Sequence, residues 1–259
     1  MTRPSAPARF IAHHTLCELA LEHPDVSLAV LDPHDMHRLV MRAFRHWVED
    51  GAPDARAQMR ILHTYVTNLQ SNTVTLIVQS RVPGDWSSLP RTARIRPPVT
   101  RAVDLTIKNG QTFQFRTVIN PHRYAPRTTT APGTRQRLDP RTPTVARTLE
   151  WFTARLQPHD TQSQGAFAPL GANTDPTTLT ARILPTLASQ SAHLGMRVHR
   201  AEIRGRLTVT HPESFAETLR RGMGRSRAYG CGLLLAQPVT APTAPAPRQQ
   251  TGQPELSTP

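Results

Sequence analysis

The order in which strand-like and helix-like segments follow one another constrains this chain most. QTFQFRTVI (111–119) alternates apolar and polar residues at strand period, and TVARTLEWFTARL (about 144–156) repeats its apolar residues at helical period. After an irregular stretch holding one strand of unassigned position, MRVHRAEIRGRLTV (196–209) reads as a long strand. Thr210 and Glu213 form a T-x-x-E capping box that opens a helix over 211–221, and Gly222 stops it. GLLLAQ (232–237) is a last apolar strand. This β-α-β-β-α-β order is the ferredoxin-like unit.

The first half repeats the theme. A strand or irregular strand pair lies in 9–30 (RFIAHHTLCELAL, then VSLAVL). Asp32 as N-cap, Pro33 at the first helical position and Asp35 predict a helix to about Val48. Met36, Leu39, Val40, Ala43, Phe44 and Trp47 make its buried stripe. ILHTYVTNL (61–69) and TVTLIVQS (73–80) are strands joined by a tight turn at Gln70–Asn72. VTRAVDLTI (99–107) and 111–119 flank Asn109-Gly110, a favoured hairpin dipeptide. The β-α-β-β-β reading is the same unit without its second helix. The expected fold class is α+β: two tandem ferredoxin-like (RRM-like, βαββαβ) domains, over 9–108 and 109–238. Six prolines in 238–259 predict a disordered tail over 239–259, and the Pro/Ala-rich residues 1–8 should fray.

Fold alone does not fix a function, and charge says more. Lys and Arg number 31 against 18 Asp and Glu, giving +13 and a pI near 11.4. Lys108 is the single lysine. Guanidinium forks match phosphate bidentately and stack on bases, so an arginine excess points to a nucleic acid; an arginine-rich genome would produce the same bias. No window approaches the roughly 18–20 apolar residues of a membrane span. MTRPSAPARF has no long apolar core of a secretory signal, and Cys17 and Cys231 are too few for a disulfide framework or a Cys-rich zinc site. A cytoplasmic protein is expected, with no membrane partner.

Three features can carry chemistry. On the helix from residue 33, at about 100° per residue, His37, Met41, His34, Arg45, Arg38 and Arg42 share the arc opposite the apolar stripe. Histidine beside guanidinium suits metal-free RNA cleavage: one group takes the 2′-hydroxyl proton, another protonates the leaving 5′-oxygen, and guanidinium stabilises the phosphorane. The same arc also fits a solvated basic face. His34 and His37 are spaced to share a metal, with His13, His14 and His63 as further donors, yet no carboxylate or cysteine converges, so no metal is expected.

The second feature is the glycine-rich run from Gly222 through Gly224 and Gly230 to Gly232, enclosing Arg225, Arg227 and Tyr229. It lacks the Gly-Lys-Ser/Thr of a Walker loop, and its helix-loop-strand order is the reverse of a dinucleotide fingerprint. No nucleotide cofactor is expected. Its glycines let backbone approach phosphate closely while Arg225 and Arg227 clamp it; a tight helix-to-strand connection is the plainer reading. The third feature is basic: Arg116, His122, Arg123, Arg127, Arg135, Arg137 and Arg141, which either track a phosphate backbone or are a solvated loop.

Four ordered blocks carry a resemblance. RGMGRSRAYGCGLLLAQP (221–238) resembles the closing glycine-rich signature of the CasE (Cse3) family of CRISPR repeat-processing endoribonucleases. DMHRLVMRAF (35–44) resembles that family's Y-x-L-H-R-x-x-x-x-F helix, LIVQSRVPGDWSSL (76–89) its Val-Gln-Ser strand and Asp-Trp-Ser, and FRTVINP (115–121) its Phe-Arg-x-x-x-Asn-Pro strand. The resemblance spans about 9–238 and implies two ferredoxin-like domains. It also implies metal-independent cleavage of the CRISPR repeat RNA hairpin, 3′ to the stem-loop. There 2′-hydroxyl attack would leave a 2′,3′-cyclic phosphate and a 5′-hydroxyl, with the product retained alongside other Cascade subunits.

Carried over, the family's catalytic histidine falls on His37, and its basic helix residues on Arg38 and Arg42. Gly222–Gly232 would contact RNA or brace the groove. The chain departs from the family in two places. His34 stands where many members have a tyrosine partner for acid/base work, and the insert at about 18–31 is longer. The histidine either replaces the phenol or leaves its role unfilled. Two other readings therefore stand beside the nuclease: a hairpin-binding subunit that cuts slowly or not at all, and a generic RRM-like binder. The second is disfavoured by an aromatic content of 5% and the lack of an RNP pattern.

Overall fold

The computed structural model describes residues 6–47, 52–121, 142–156, 169–189 and 194–239. Arg123, Arg127, the rest of the basic run from His122 to Arg141, and almost all of the proline-rich tail lie outside the described residues.

Two antiparallel sheets are built from strands and helices in the expected alternation. The first comprises β1 (Ala8–Ala20), β2 (Leu62–Asn68), β3 (Thr73–Ser80) and β4 (Val99–Ile107), in the spatial order β2-β3-β1-β4. The second is β5 (Thr112–Ile119), a two-residue β6 (Ala172–Asn173), β7 (Thr180–Ala188), β8 (Arg197–Val209) and β9 (Leu234–Pro238). There β7-β8-β5-β9 repeats the order of the first sheet, and β6 pairs with the end of β8. Helices α1 (Pro24–Leu31), α2 (Pro33–Arg42) and α3 (Ala55–Gln58) lie between β1 and β2; α4 (Val145–Thr153) and α5 (Pro212–Arg221) occupy the two helical positions of the second unit. Both units are thus ferredoxin-like, and the first has only a 3-10 turn, Arg91–Ala93, in place of its second helix. Among the described residues no helix is long and apolar enough to cross a membrane.

The long strand β1 ties the units together by using both of its faces. Its even positions Ala8, Phe10 and Ala12 enter the core of the second unit with Phe113, Trp151 and Phe215. Its odd positions Cys17 and Leu19 enter the core under α1 and α2 with Met36, Val40 and Phe44. Each fully buried side chain of the Leu/Phe class contributes about 1.5–3 kcal/mol, so one strand anchors two cores. Polar bonds reinforce the seam: Gln79 Nε2 donates to the Leu219 carbonyl at 2.7 Å, and Ser189 Oγ donates to Asp32 Oδ2 at 3.1 Å.

Several expectations are corrected. VSLAVL is helical, because His23 Nδ1 accepts from the Asp25 amide, Pro24 opens the helix, and Val26 and Ala29 reach the core one turn apart. Helix α2 ends at Arg42; Trp47 lies in a 3-10 turn, 51% exposed, with Nε1 donating to the Pro83 carbonyl. Asn109-Gly110 closes no hairpin, since β4 pairs with β1 and β5 pairs with β8 and β9; Gly110 N–H instead bonds the Val209 carbonyl. Thr210 does not cap α5. His211 holds the N-cap position without a side-chain bond, and Pro212, which has no N–H to satisfy, starts the helix.

Candidate active site

Asp32 terminates α1 and caps α2, its carboxylate accepting from the His34 amide at 2.8 Å. With the first turn fixed in this way, His34 and His37 lie on one side of the helix, ring centroids 6.4 Å apart. His37 is half-buried. It stands over a seam formed by α2, β2 and the glycine-rich loop, and the Tyr229 ring meets it edge-on at 6.4 Å and 76°.

The loop reaches that seam because its glycines permit the path. Gly222 ends α5 at φ 68°, ψ 178°, a conformation essentially confined to glycine. The Met223 amide then bonds the Gly232 carbonyl at 2.9 Å, and the Gly232 amide bonds the Val118 carbonyl at 2.6 Å, tying both ends of the loop to β5. Within it Asn120 Nδ2 donates to Ser226 Oγ, and a single 3-10 turn, Arg227–Tyr229, presents the tyrosine. Gly224 is packed against Trp151, and Gly230 on Tyr65 and His63.

Burial and nearby positive charge favour the neutral forms of His37 and His63. Burial pushes His37 below the ordinary histidine range, and neighbouring His34 and Arg56 push it further. His63, on β2, is fully buried; burial, His37 and Arg56 bring it down to about 3. Arg56, at the start of the same seam, donates Nη1 to the Ile61 carbonyl at 3.0 Å. Burial and the nearby Arg227 lower its own pKa, against an opposing contribution from Asp54. Positive charge therefore gathers beside an imidazole whose neutral form is favoured.

The buried His63 has a consequence for stability. Its unfolded form takes a proton near 6.5 and its folded form only near 3, so the unfolded state binds more protons between those values. Its share of stability is complete above about pH 6.5 and falls by about 1.4 kcal/mol per unit as pH drops through that window. Denaturant melts from pH 7 to pH 4.5 should show a steep slope in the wild type and a shallower one in His63→Leu. Equal slopes would remove His63 as the cause.

Arg38, Arg42 and Arg116 fall elsewhere. Arg38 is exposed and paired with Asp35 one turn back, and Arg42 reaches Asp25 of α1 at 3.6 Å. Such exposed pairs contribute about 0–1 kcal/mol, so a phosphate can displace either carboxylate. Arg116 belongs to a separate cluster. It bonds the buried Glu202 at 2.7 Å together with Arg204, and burial raises the Glu202 carboxyl less than these two arginines lower it. Arg225 is exposed on the loop, and Arg227 donates to the Arg221 carbonyl at 3.0 Å. A cleft of about 620 Å³ adjoins the loop, lined by Trp151, Arg155, Arg221, Arg225 and Arg227 among others.

Among the described residues no three His, Cys, Asp or Glu side chains converge to hold a metal ion. Cys17 and Cys231 are buried, and burial pushes both thiols up to about 12. Sequence reasoning missed Arg56 altogether, since a basic residue in a short polar segment carries no signal. It placed Tyr229 in the loop but not beside His37, and took His63 only as a spare metal donor.

Comparison with known proteins agrees with this architecture. A family described as CRISPR associated protein matches residues 13–238. The chain is 29% identical, over 215 residues, to the CRISPR-associated endoribonuclease Cse3 of Thermus thermophilus, covering 80% of this chain and 90% of that one. A solved structure of CRISPR endoribonuclease Cse3 bound to a 19-nucleotide RNA superposes with a TM-score of 0.62 at 25% identity, over 88% of this chain and all of that one. A chain of a CRISPR RNA-guided surveillance complex has the same fold, with a TM-score of 0.55 at 18% identity, over 87% of this chain and all of that one. Fold, sequence blocks and family match agree: the chain belongs to the CRISPR-associated protein family, and is of the CasE (Cse3) type.

Proposed function

We propose that the chain is an endoribonuclease that processes CRISPR precursor RNA, cutting on the 3′ side of the repeat stem-loop without a metal ion. The observation that carries this reading is the half-buried His37, whose neutral form is favoured by burial and by Arg56, with Arg227 of the glycine-rich loop close to Arg56. A neutral imidazole accepts the 2′-hydroxyl proton, and the freed oxygen attacks phosphorus in line with the 5′-oxygen. Guanidinium groups stabilise the doubly charged phosphorane. Arg56, which acts on His37, and Arg227, which acts on Arg56, supply two of them, and Arg38 and Arg42 join by exchanging carboxylate for phosphate. The products are a 2′,3′-cyclic phosphate and a 5′-hydroxyl. His34 stands beside His37 as a second imidazole for acid/base work. Arg225 with the loop glycines, Arg116 on β5, and Arg123 and Arg127 of the basic run are proposed to grip the RNA. Retention of the product hairpin as a Cascade subunit completes the reading, supported by family membership.

The test is incubation of the cognate repeat hairpin and a scrambled hairpin with wild type in excess EDTA, followed by analysis of product termini. Cleavage of the cognate RNA to cyclic phosphate and 5′-hydroxyl ends is expected. Tight binding with no cut would favour a hairpin-binding subunit instead.

The pH dependence has a definite sign. His37 acts as a base only when unprotonated, and its pKa lies below the ordinary 6.5. The midpoint of the acid-side fall in the single-turnover rate should therefore lie below pH 6.5. An inflection at or above 6.5 would contradict a buried base among arginines.

A further inference from the structure

The geometry points to Tyr229 as the proton donor to the leaving 5′-oxygen, a role that rests on the cleavage reading above. In-line displacement places the attacking and leaving oxygens on opposite sides of phosphorus, so the groups that accept and donate protons have to face each other across one phosphate. His34 and His37 project from one helix a single turn apart, and the buried Nδ1 edge of His34 faces the protein. Tyr229 arrives from a different segment, the glycine-rich loop, and its half-buried ring meets His37 edge-on. That loop has no freedom to swing away, since Met223, Gly232, Asn120 and Ser226 tie it to β5 and to itself.

Charge argues the same way. An imidazole donates only as a cation, and this seam already holds Arg56, which presses on His37, and Arg227, which presses on Arg56. A phenol donates from a neutral state and ordinarily keeps its proton until about pH 10.

The step balances. The 2′ O–H bond breaks, its proton passes to the His37 imidazole, and the new 2′-oxygen–phosphorus bond forms as the phosphorus–5′-oxygen bond breaks. The Tyr229 proton goes to the 5′-oxygen. The imidazolium then returns its proton to the adjacent phenolate, restoring both groups with no external reagent.

The experiment compares two hairpin substrates, one natural and one with sulfur replacing the bridging 5′-oxygen at the scissile bond. A thiolate leaves without protonation because thiols ionise near 8.5, so loss of a donor costs little with sulfur and much with oxygen. Tyr229→Phe keeps the ring and its packing. It should slow the oxygen substrate by about 10²-fold or more and cleave the sulfur substrate at close to the wild-type rate. His34→Asn should slow both substrates alike. Tyr229→Phe at wild-type rate on oxygen, an equal loss on both substrates, or sulfur rescue of His34→Asn would each overturn the assignment while leaving the cleavage reading intact. Wild type that cuts neither substrate would overturn the cleavage reading, and this one with it.

Discussion

His37→Ala is expected to lower the single-turnover rate of repeat cleavage by about 10²–10⁴-fold, the usual worth of a positioned acid or base. Hairpin affinity should change little. Affinity for RNA comes mainly from guanidinium–phosphate contacts, which His37 does not make, and the loss should therefore fall on the rate alone. Alanine is the best helix former, and α2 is held by the Asp32 cap and by Met36, Leu39 and Val40 in the core, so the helix survives the change. The check is a rate measurement with enzyme in excess beside a binding titration at the same ionic strength. A folded variant cutting at the wild-type rate would take His37 out of the chemistry.

Gly222→Ala should be among the most damaging single-methyl additions in the chain. The backbone at φ 68°, ψ 178° is strained for any side chain, a cost of about 1–3 kcal/mol. The new Cβ would also stand 2.6 Å from the Gly232 carbonyl oxygen and 2.8 Å from Leu62 Cδ1. That carbonyl cannot retreat without breaking its bond from the Met223 amide. Strain and clash together should cost roughly 3 kcal/mol or more, lowering the melting temperature by roughly 6–12 °C. Since the same loop carries Tyr229 to His37, whatever remains folded should cleave more slowly. Gly110→Ala is the control: φ is 77° there, but nothing lies within 4 Å of a Cβ, so only the strain is felt. Thermal melts that place the two variants level would show that Gly222 is not the pin of the loop.

Much of the fold was legible because its strands and helices are amphipathic at their own periods. The ranges 73–80 and 99–107 match β3 and β4, α4, α5 and β8 lie within a few residues of the expected segments, and α2 starts where expected but ends a turn and a half early. What was missed has local causes. VSLAVL is too short and too β-branched to declare a helix, and only the docking of Val26 and Ala29 decides it. Strand β7 is mostly exposed, contains Pro185 and shifts register between Leu184 and Leu187, so it shows no alternation. Asn109-Gly110 is a turn by its local chemistry, yet whether a turn closes a hairpin depends on which strands its flanks pair with. His34 and His37 were visible because a helix turns sequence spacing into a shared face. Arg56, His63 and Tyr229 join them only through tertiary packing. ILHTYVTNL gives no sign that His63 is buried close to His37 and Arg56.

Substitution of a single 2′-hydroxyl by hydrogen at the scissile nucleotide, in excess EDTA, tests the central claim most directly. The account predicts that wild type binds this RNA as it binds the natural hairpin and leaves it uncut, while cutting the all-ribose substrate in the same buffer. Cleavage of the deoxy substrate, or loss of all cleavage in EDTA, would contradict it.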